Sequence, residues 1–201
     1  MIREVLVPEE DPPGTVRASQ HRSDRAVSIS AETQVLEIVN QERAENNLGA
    51  LAWNDLLFES ARGHSVDMAD QDYFSHESLD GRTPAQRVAA AGYDYNSMAE
   101  NIAAGHGTPQ AVMEGWMASD GHRANILSED VCDLGVGYAY DAQSTYGHYW
   151  TQNFGRQAGV ADCPIIPDTG SNSPPDTTGS DESGGGGSGG CFIESIQHTI
   201  P

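Results

Sequence analysis

The sequence predicts an α+β fold, a sheet covered by helices, confined to residues 31–156. Three observations carry this. Four amphipathic segments with helix-start signals come first, and two strand-like segments follow. All three Trp, and every Phe except Phe192, fall inside this block. Residues 1–30 and 157–190 hold no periodic apolar pattern. A block of this size removes about two-thirds of its unfolded surface from water, enough to build a core.

The first helix opens on Val35, Leu36, Ile38 and Val39 and runs toward Asn46, with Gly49 as its stop. Asn54 is an N-cap for the second. Trp53 before it can staple onto Phe58, and Leu57, Ala61, His64 and Met68 share one face. Thr83-Pro84-Ala85-Gln86 is a capping box with proline at the first helical position, and Gly92 ends that third helix. Thr108-Pro109 starts a fourth, which carries Val112, Met113, Trp116 and Met117 to a break at Gly121. Leu134, Val136, Tyr138 and Tyr140 then alternate with Gly and Ala as one strand. Tyr149 to Phe154, aromatic-rich, is a second strand across a loop containing Gly147.

The flanks differ in kind. Residues 1–30 are polar, with Pro8, Pro12 and Pro13, and read as a disordered tail. Residues 157–190 read as an acidic Pro/Gly/Ser-rich linker of the composition that behaves as flexible coil. Residues 191–201 are a short, mildly apolar segment. Thirty acids against ten bases, all of them Arg, leave a formal net charge of −20. No basic stripe exists to neutralise phosphates, which argues against nucleic acid as a partner and equally against an anionic membrane surface. No run of 18 apolar residues spans a bilayer. Residues 1–30 contain no 7–15-residue apolar core of a secretory signal. Three Cys allow one disulfide with one thiol left over.

Histidine is the residue to follow, since neutral imidazole is both the usual metal ligand and the usual base. His76 ends Tyr73-Phe74-Ser75-His76. Glu100 sits in Ala99-Glu100-Asn101-Ile102-Ala103, and His122 in Gly121-His122-Arg123-Ala124-Asn125-Ile126-Leu127. Apolar neighbours bracket all three, which places them near the core. A carboxylate there must pair, bind metal or shift its pKa. Two His and a carboxylate suffice to hold a divalent cation with open positions. Their spacings of 24 and 22 residues form no local ligand pattern. Two arrangements therefore stand: one shared site, or three separately satisfied polar groups. His64 reads either as a hydrogen-bonded core residue or as a cleft-lining helper. His106 and His148 read as solvated, Asn101 and Asn125 as groups that satisfy backbone, and Arg43 and Arg123 as ion-paired scaffold.

Over residues 33–155 the chain resembles a bacterial member of the CAP superfamily (cysteine-rich secretory proteins, antigen 5, pathogenesis-related 1), also called the SCP domain. The segments above carry the resemblance, together with Val39-Asn40-Gln41-Glu42-Arg43, Leu51-Ala52-Trp53-Asn54, Ala61-Arg62-Gly63-His64-Ser65-Val66-Asp67-Met68-Ala69, Leu134-Gly135-Val136-Gly137 and Tyr149-Trp150-Thr151-Gln152-Asn153-Phe154. The resemblance implies an α-β-α sandwich. It also implies a cleft lined by two His and two acids, which in some members binds zinc or another divalent cation. On the matching positions the ligands are His76, Glu100 and His122. The second acid of many members follows a Trp by three residues. Ser119 stands at that distance from Trp116, so Asp120 is the candidate substitute and a triad the other possibility.

Cys132 and Cys163 flank the two strands. In an exported protein a bridge between them would close a loop contributing on the order of 3 kcal/mol. Gly189-Gly190-Cys191-Phe192-Ile193 resembles a processing or anchoring motif at the ends of some exported bacterial proteins, which would display the protein at the envelope through Cys191.

The expectation is a secreted or envelope-associated, monomeric binding module whose cleft takes a divalent cation, a lipid, a peptide or a protein segment. The alternative is a metal-dependent, peptidase-like hydrolase, with Glu100, His64 or Asp120 as base for a metal-bound water. A structural or adhesive surface domain is the third. Binding leads, because the sequence holds no nucleophile elbow and no Cys–His pair near a helix start.

Overall fold

The structure, a computed structural model, describes residues 31–161, Cys163 and Phe192–Thr199. The tail 1–30, most of the linker and Cys191 lie outside the described residues. In chain order the elements are α1 (residues 31–45), β1 (Ala52–Trp53), α2 (Asp55–Asp70), α3 (Pro84–Ala90), β2 (Tyr95–Ala104), α4 (Pro109–Ala118), α5 (Asp120–Ile126), β3 (Asp133–Tyr140), β4 (His148–Gln157) and β5 (Phe192–Thr199).

Local capping chemistry starts the helices where the sequence places it. Asn54 Oδ1 accepts from the amides of Leu56 and Leu57 at 3.0 and 3.2 Å, and the Trp53 and Phe58 rings close the staple at 5.2 Å. Thr83 and Gln86 form the reciprocal capping box of α3, and Thr108 caps α4 through the Ala111 amide. The break expected at Gly121 falls earlier. Ser119 is extended, with φ −104° and ψ 124°, so α4 stops at Ala118 and Gly121 lies in the first turn of α5.

Three strands were not legible: the two-residue β1, β2 and β5. β2 carries Ala, Asn, Ser and Glu where strand formers are expected. Burial between β4 and β5 overrides that weak preference. β5, part of the segment read as a C-terminal appendage, pairs antiparallel with β2. The sheet order is β1-β3-β4-β2-β5. β1 runs parallel to β3, and all other pairs are antiparallel.

Side-chain alternation assigns each strand residue to one of two helical layers. Ala99, Ala103, Leu134, Val136, Trp150 and Phe154 form a core with Val35, Val39, Val112, Trp116 and Ile126, from α1, α4 and α5. The opposite face carries Gly135, Gly137, Tyr149, Thr151, Asn153, Glu100 and Ile102 toward α2 and α3. The result is the α-β-α sandwich. Gly135 and Gly137 set how close α2 comes. A Cβ on Gly135 would lie 2.1 Å from the Phe58 amide nitrogen, and one on Gly137 2.3 Å from the Ala61 carbonyl carbon. The helix therefore rests its backbone on β3, and Ser65 Oγ donates to the Gly137 carbonyl at 3.0 Å.

Cys132 and Cys163 are disulfide-bonded, with Cα atoms 5.1 Å apart, which ties residue 163 to the start of β3. Arg43 departs from its expected ion pair. It is buried and donates to the carbonyls of Gly49, Ile126 and Ser128, each at 2.8 Å, so it closes the ends of α1 and α5 rather than neutralising an acid. His106 and His148 are half-buried, not solvated. Trp150 Nε1 donates to the His106 carbonyl at 2.7 Å, and His148 Nδ1 meets the Tyr138 hydroxyl at 2.7 Å. Among the described residues no helix is long and apolar enough to cross a membrane.

Candidate functional site

The polar centre of the α2/α3 face is Glu100. Its side chain is fully buried, so the carboxylate must be compensated. Arg87, from α3, donates through Nη2 to both carboxylate oxygens at 3.1 and 2.9 Å. His76 Nδ1 donates to Oε1 at 2.8 Å. With its amide turned to satisfy both ends, Asn153 donates to Oε2 at 2.9 Å and accepts from the Ala61 amide at 3.2 Å. Burial pushes the Glu100 pKa up. The His76 hydrogen bond and the Arg87 charge outweigh it and hold the carboxyl below its ordinary range.

Arg87 also organises the loop ahead of α3. Its Nη1 donates to the His76 carbonyl, the Ser78 hydroxyl and the Arg82 carbonyl at 2.8, 3.2 and 3.1 Å. One guanidinium thus fixes the segment from His76 to Arg82 and neutralises Glu100. Sequence reasoning missed Arg87 and Asn153. The only local signal was an arginine beside Val88 on a short helix opened by the buried Pro84.

His64 lines the same region from α2. Its Nε2 lies 2.9 Å from the Ser75 carbonyl. A carbonyl only accepts, so Nε2 carries the proton and Nδ1 is an acceptor. Burial drives its pKa down to about 4, and the ring is neutral at pH 7. His64 is hydrogen-bonded and it also lines a cavity. That cavity, of about 340 Å³, opens between α2 and α3. Its walls include Glu59, Gly63, Asp67, Ser78, Arg82 and Arg87. Three nitrogens nearby, His64 Nδ1, His76 Nε2 and Arg87 Nε, are buried with no hydrogen-bond partner among the described residues.

The structure brings His76 and Glu100 together and does not bring the remaining candidate ligands to them. His122 lies on α5, on the other face of the sheet. Its carbonyl accepts from Asn101 Nδ2 at 3.2 Å, and its Nδ1 meets Ser119 Oγ at 2.7 Å. Asn125 donates to Asn101 Oδ1 at 2.8 Å, so Asn101 and Asn125 bind α5 to β2. The Asp120 side chain is 93% exposed and paired with Arg123. Among the described residues no three His, Cys, Asp or Glu side chains group so as to hold a metal ion. The donor set does not fit a divalent cation, because Arg87 already occupies both oxygens of Glu100.

Comparisons with known proteins agree with the architecture. Residues 36–154 match the family model of the cysteine-rich secretory protein family, CAP. YkwD, an uncharacterised protein of Bacillus subtilis, is 38% identical over 143 residues, which is 71% of this chain and 54% of the relative. YlbC, an uncharacterised membrane protein of the same organism, is 35% identical over 130 residues, 65% of this chain and 36% of its own. A solved extracellular protein containing an SCP domain, from Bacillus anthracis, superposes with a TM-score of 0.61 at 34% identity, covering 74% of this chain and 45% of that one. The chain thus spans about half or less of the length of these relatives.

Proposed function

The chain belongs to the cysteine-rich secretory protein family, and on that premise we propose that it is a ligand-binding module of the cell exterior whose site is the cavity between α2 and α3. One observation carries this reading: a cavity of about 340 Å³ backed by polar groups that are already locked in place. The Arg87–Glu100–His76 cluster is internally neutralised, so it supplies a rigid wall and little net charge. The cavity presents hydroxyls, carboxylates and guanidinium donors, which suits a small, neutral, hydrogen-bonding group such as a sugar hydroxyl or a peptide amide better than an acyl chain. Membership of a secretory family, and the extracellular relative from B. anthracis, support export or envelope association.

The hydrolase reading is weaker. A general base works best near the operating pH, and His64, with a pKa of about 4, is a poor one at neutrality. Glu100 has both oxygens engaged.

Gly63 offers a clean test. It lines the cavity, and a Cβ added there meets nothing within 4 Å. Gly63→Trp therefore places an indole at the cavity wall from a position where the first side-chain atom has room, and a far-ultraviolet circular dichroism spectrum matching the parent's confirms that the fold is kept. Saturation-transfer NMR with N-acetylglucosamine, alanyl dipeptides and decanoate distinguishes polar from acyl ligands. Binding of a polar probe to the parent, lost in Gly63→Trp, is the expected result. Equal binding by both proteins, or binding of decanoate alone, would overturn the assignment.

A further inference from the structure

β5 lies outside the family match, which ends at residue 154, yet it completes the sheet. Without it β2 would be the edge. Free edges are normally blunted by Lys, Pro, bulges or brevity. β2 has none of these on that side: it is ten residues long and contains no Lys, Arg or Pro. Its pairing with β5 runs without a register shift from Ser97↔Thr199 to Ala104↔Phe192. The edge is built to be occupied, and the occupant arrives on a long tether.

The geometry of that tether decides where the strand can come from. The disulfide fixes Cys163 beside Cys132, and the Cys132 amide pairs with the Gly155 carbonyl, toward the Tyr95 end of β2. Phe192 pairs at the Ala104 end. Cys163 and Phe192 therefore stand at opposite ends of the strands and on opposite sides of the β3-β4-β2 unit. That span is about 27 Å, from roughly seven residue steps along the strand and three strand spacings across it. Residues 164–191, 28 in number, are rich in Gly and Ser, and a chain of that composition has a mean reach of about 29 Å. Reach and span match, the condition under which a tethered ligand has its highest effective concentration, in the millimolar range. Nothing in the backbone pairing distinguishes the chain's own strand from an identical one.

We propose that β5 is an exchangeable strand and that the β2 edge is a strand-docking site, filled by the chain's own residues 192–199 in dilute solution and by those of a second copy when the tether cannot close. The partner is recognised by main-chain hydrogen bonding, as in other strand additions, and the exchange is reciprocal, giving a closed two-fold dimer.

Shortening the tether tests this on a chain otherwise unchanged. Deleting residues 166–189 leaves four residues between Cys163 and Phe192, which reach at most about 18 Å. Light scattering at micromolar concentration should find the parent monomeric and the shortened chain dimeric. Ile193→Pro with Ile196→Pro, two positions of opposite parity, removes an N–H that faces β2. In the shortened chain this pair should return the dimer to monomer. In the parent it should raise hydrogen exchange of the β2 amides that face β5 at least tenfold. A shortened chain that stays monomeric, a dimer that survives both prolines, or β2 exchange unchanged by them in the parent would each overturn the proposal.

Discussion

Arg87→Met removes the cation that compensates Glu100 while keeping an unbranched side chain of similar length. The parent guanidinium makes five hydrogen bonds, two to Glu100 and three to the loop between His76 and Arg82. The variant leaves a fully buried carboxylate with only His76 and Asn153. Breaking a buried pair by deleting one partner costs about 3–5 kcal/mol, a large share of the roughly 5–15 kcal/mol that stabilises a domain. The melting temperature should fall by roughly 10–20 °C. The sign with pH is also fixed. In the parent the Glu100 pKa lies below its ordinary value of 4.5, so the pair contributes stability above that pH and loses it as pH falls through the folded pKa. In the variant burial dominates and raises the pKa, so stability declines as pH rises above about 4.5. Urea denaturation at pH 5.0 and 7.5 measures both effects. Arg87→Met/Glu100→Gln should recover at least about 1.5 kcal/mol, because the stranded charge is gone. A loss below about 1 kcal/mol, or a deficit independent of pH and not relieved in the double variant, would refute the view of Arg87 as the counter-ion that holds this face together.

Three further outcomes are expected. Glu32 is buried and its carboxyl is raised to about 7 by burial, against the Arg62 charge. Its neutral form is favoured in the folded state, so it contributes stability below about pH 4.5 that is lost as pH rises through 7, about 3 kcal/mol at most; Glu32→Gln should flatten the stability profile between pH 5 and 7.5. Gly137→Ala puts a methyl group against the backbone of α2 and should cost about 3 kcal/mol or prevent folding, as chemical denaturation or soluble yield will report. Calorimetric titration with zinc should give no tight binding; tight binding abolished by His76→Ala with His122→Ala would restore the cation site.

What was legible in the sequence was local. Asn54, Thr83 and Thr108 announce helix starts because a capping side chain reaches only two or three residues ahead, and the structure finds each cap in place. β2 was illegible because its Ala, Asn and Glu have little strand preference, and the two strands that bury it are remote in sequence. Apolar neighbours around Glu100 and His122 correctly indicated burial, but burial does not say which face of the sheet a residue takes. That is why His76 and Glu100 meet while His122 lies behind the strand. Arg87 escaped notice for the same reason: its partner is 13 residues away, in an element whose existence was not foreseen.

Adjacent residues of β2 anchor opposite layers. Glu100 is held by Arg87 of α3, and Asn101 by the carbonyl of His122 and the amide of Asn125 on α5. Neighbouring strand positions cannot move apart by more than their fixed bond geometry, so the two helical layers are geared together through one peptide unit. Sliding of one layer over the sheet, the shear motion available to many layered folds, would have to break a buried ion pair or a buried amide network. The connections are held as well: the turn from Glu77 to Arg82 by three hydrogen bonds from Arg87, and the segment from Gly105 to Thr108 by Trp150 on the His106 carbonyl. A ligand entering between α2 and α3 would therefore meet walls that do not adapt, Ser78 and Arg82 included. Selectivity in such a site resides in the shape its walls already have before a ligand arrives.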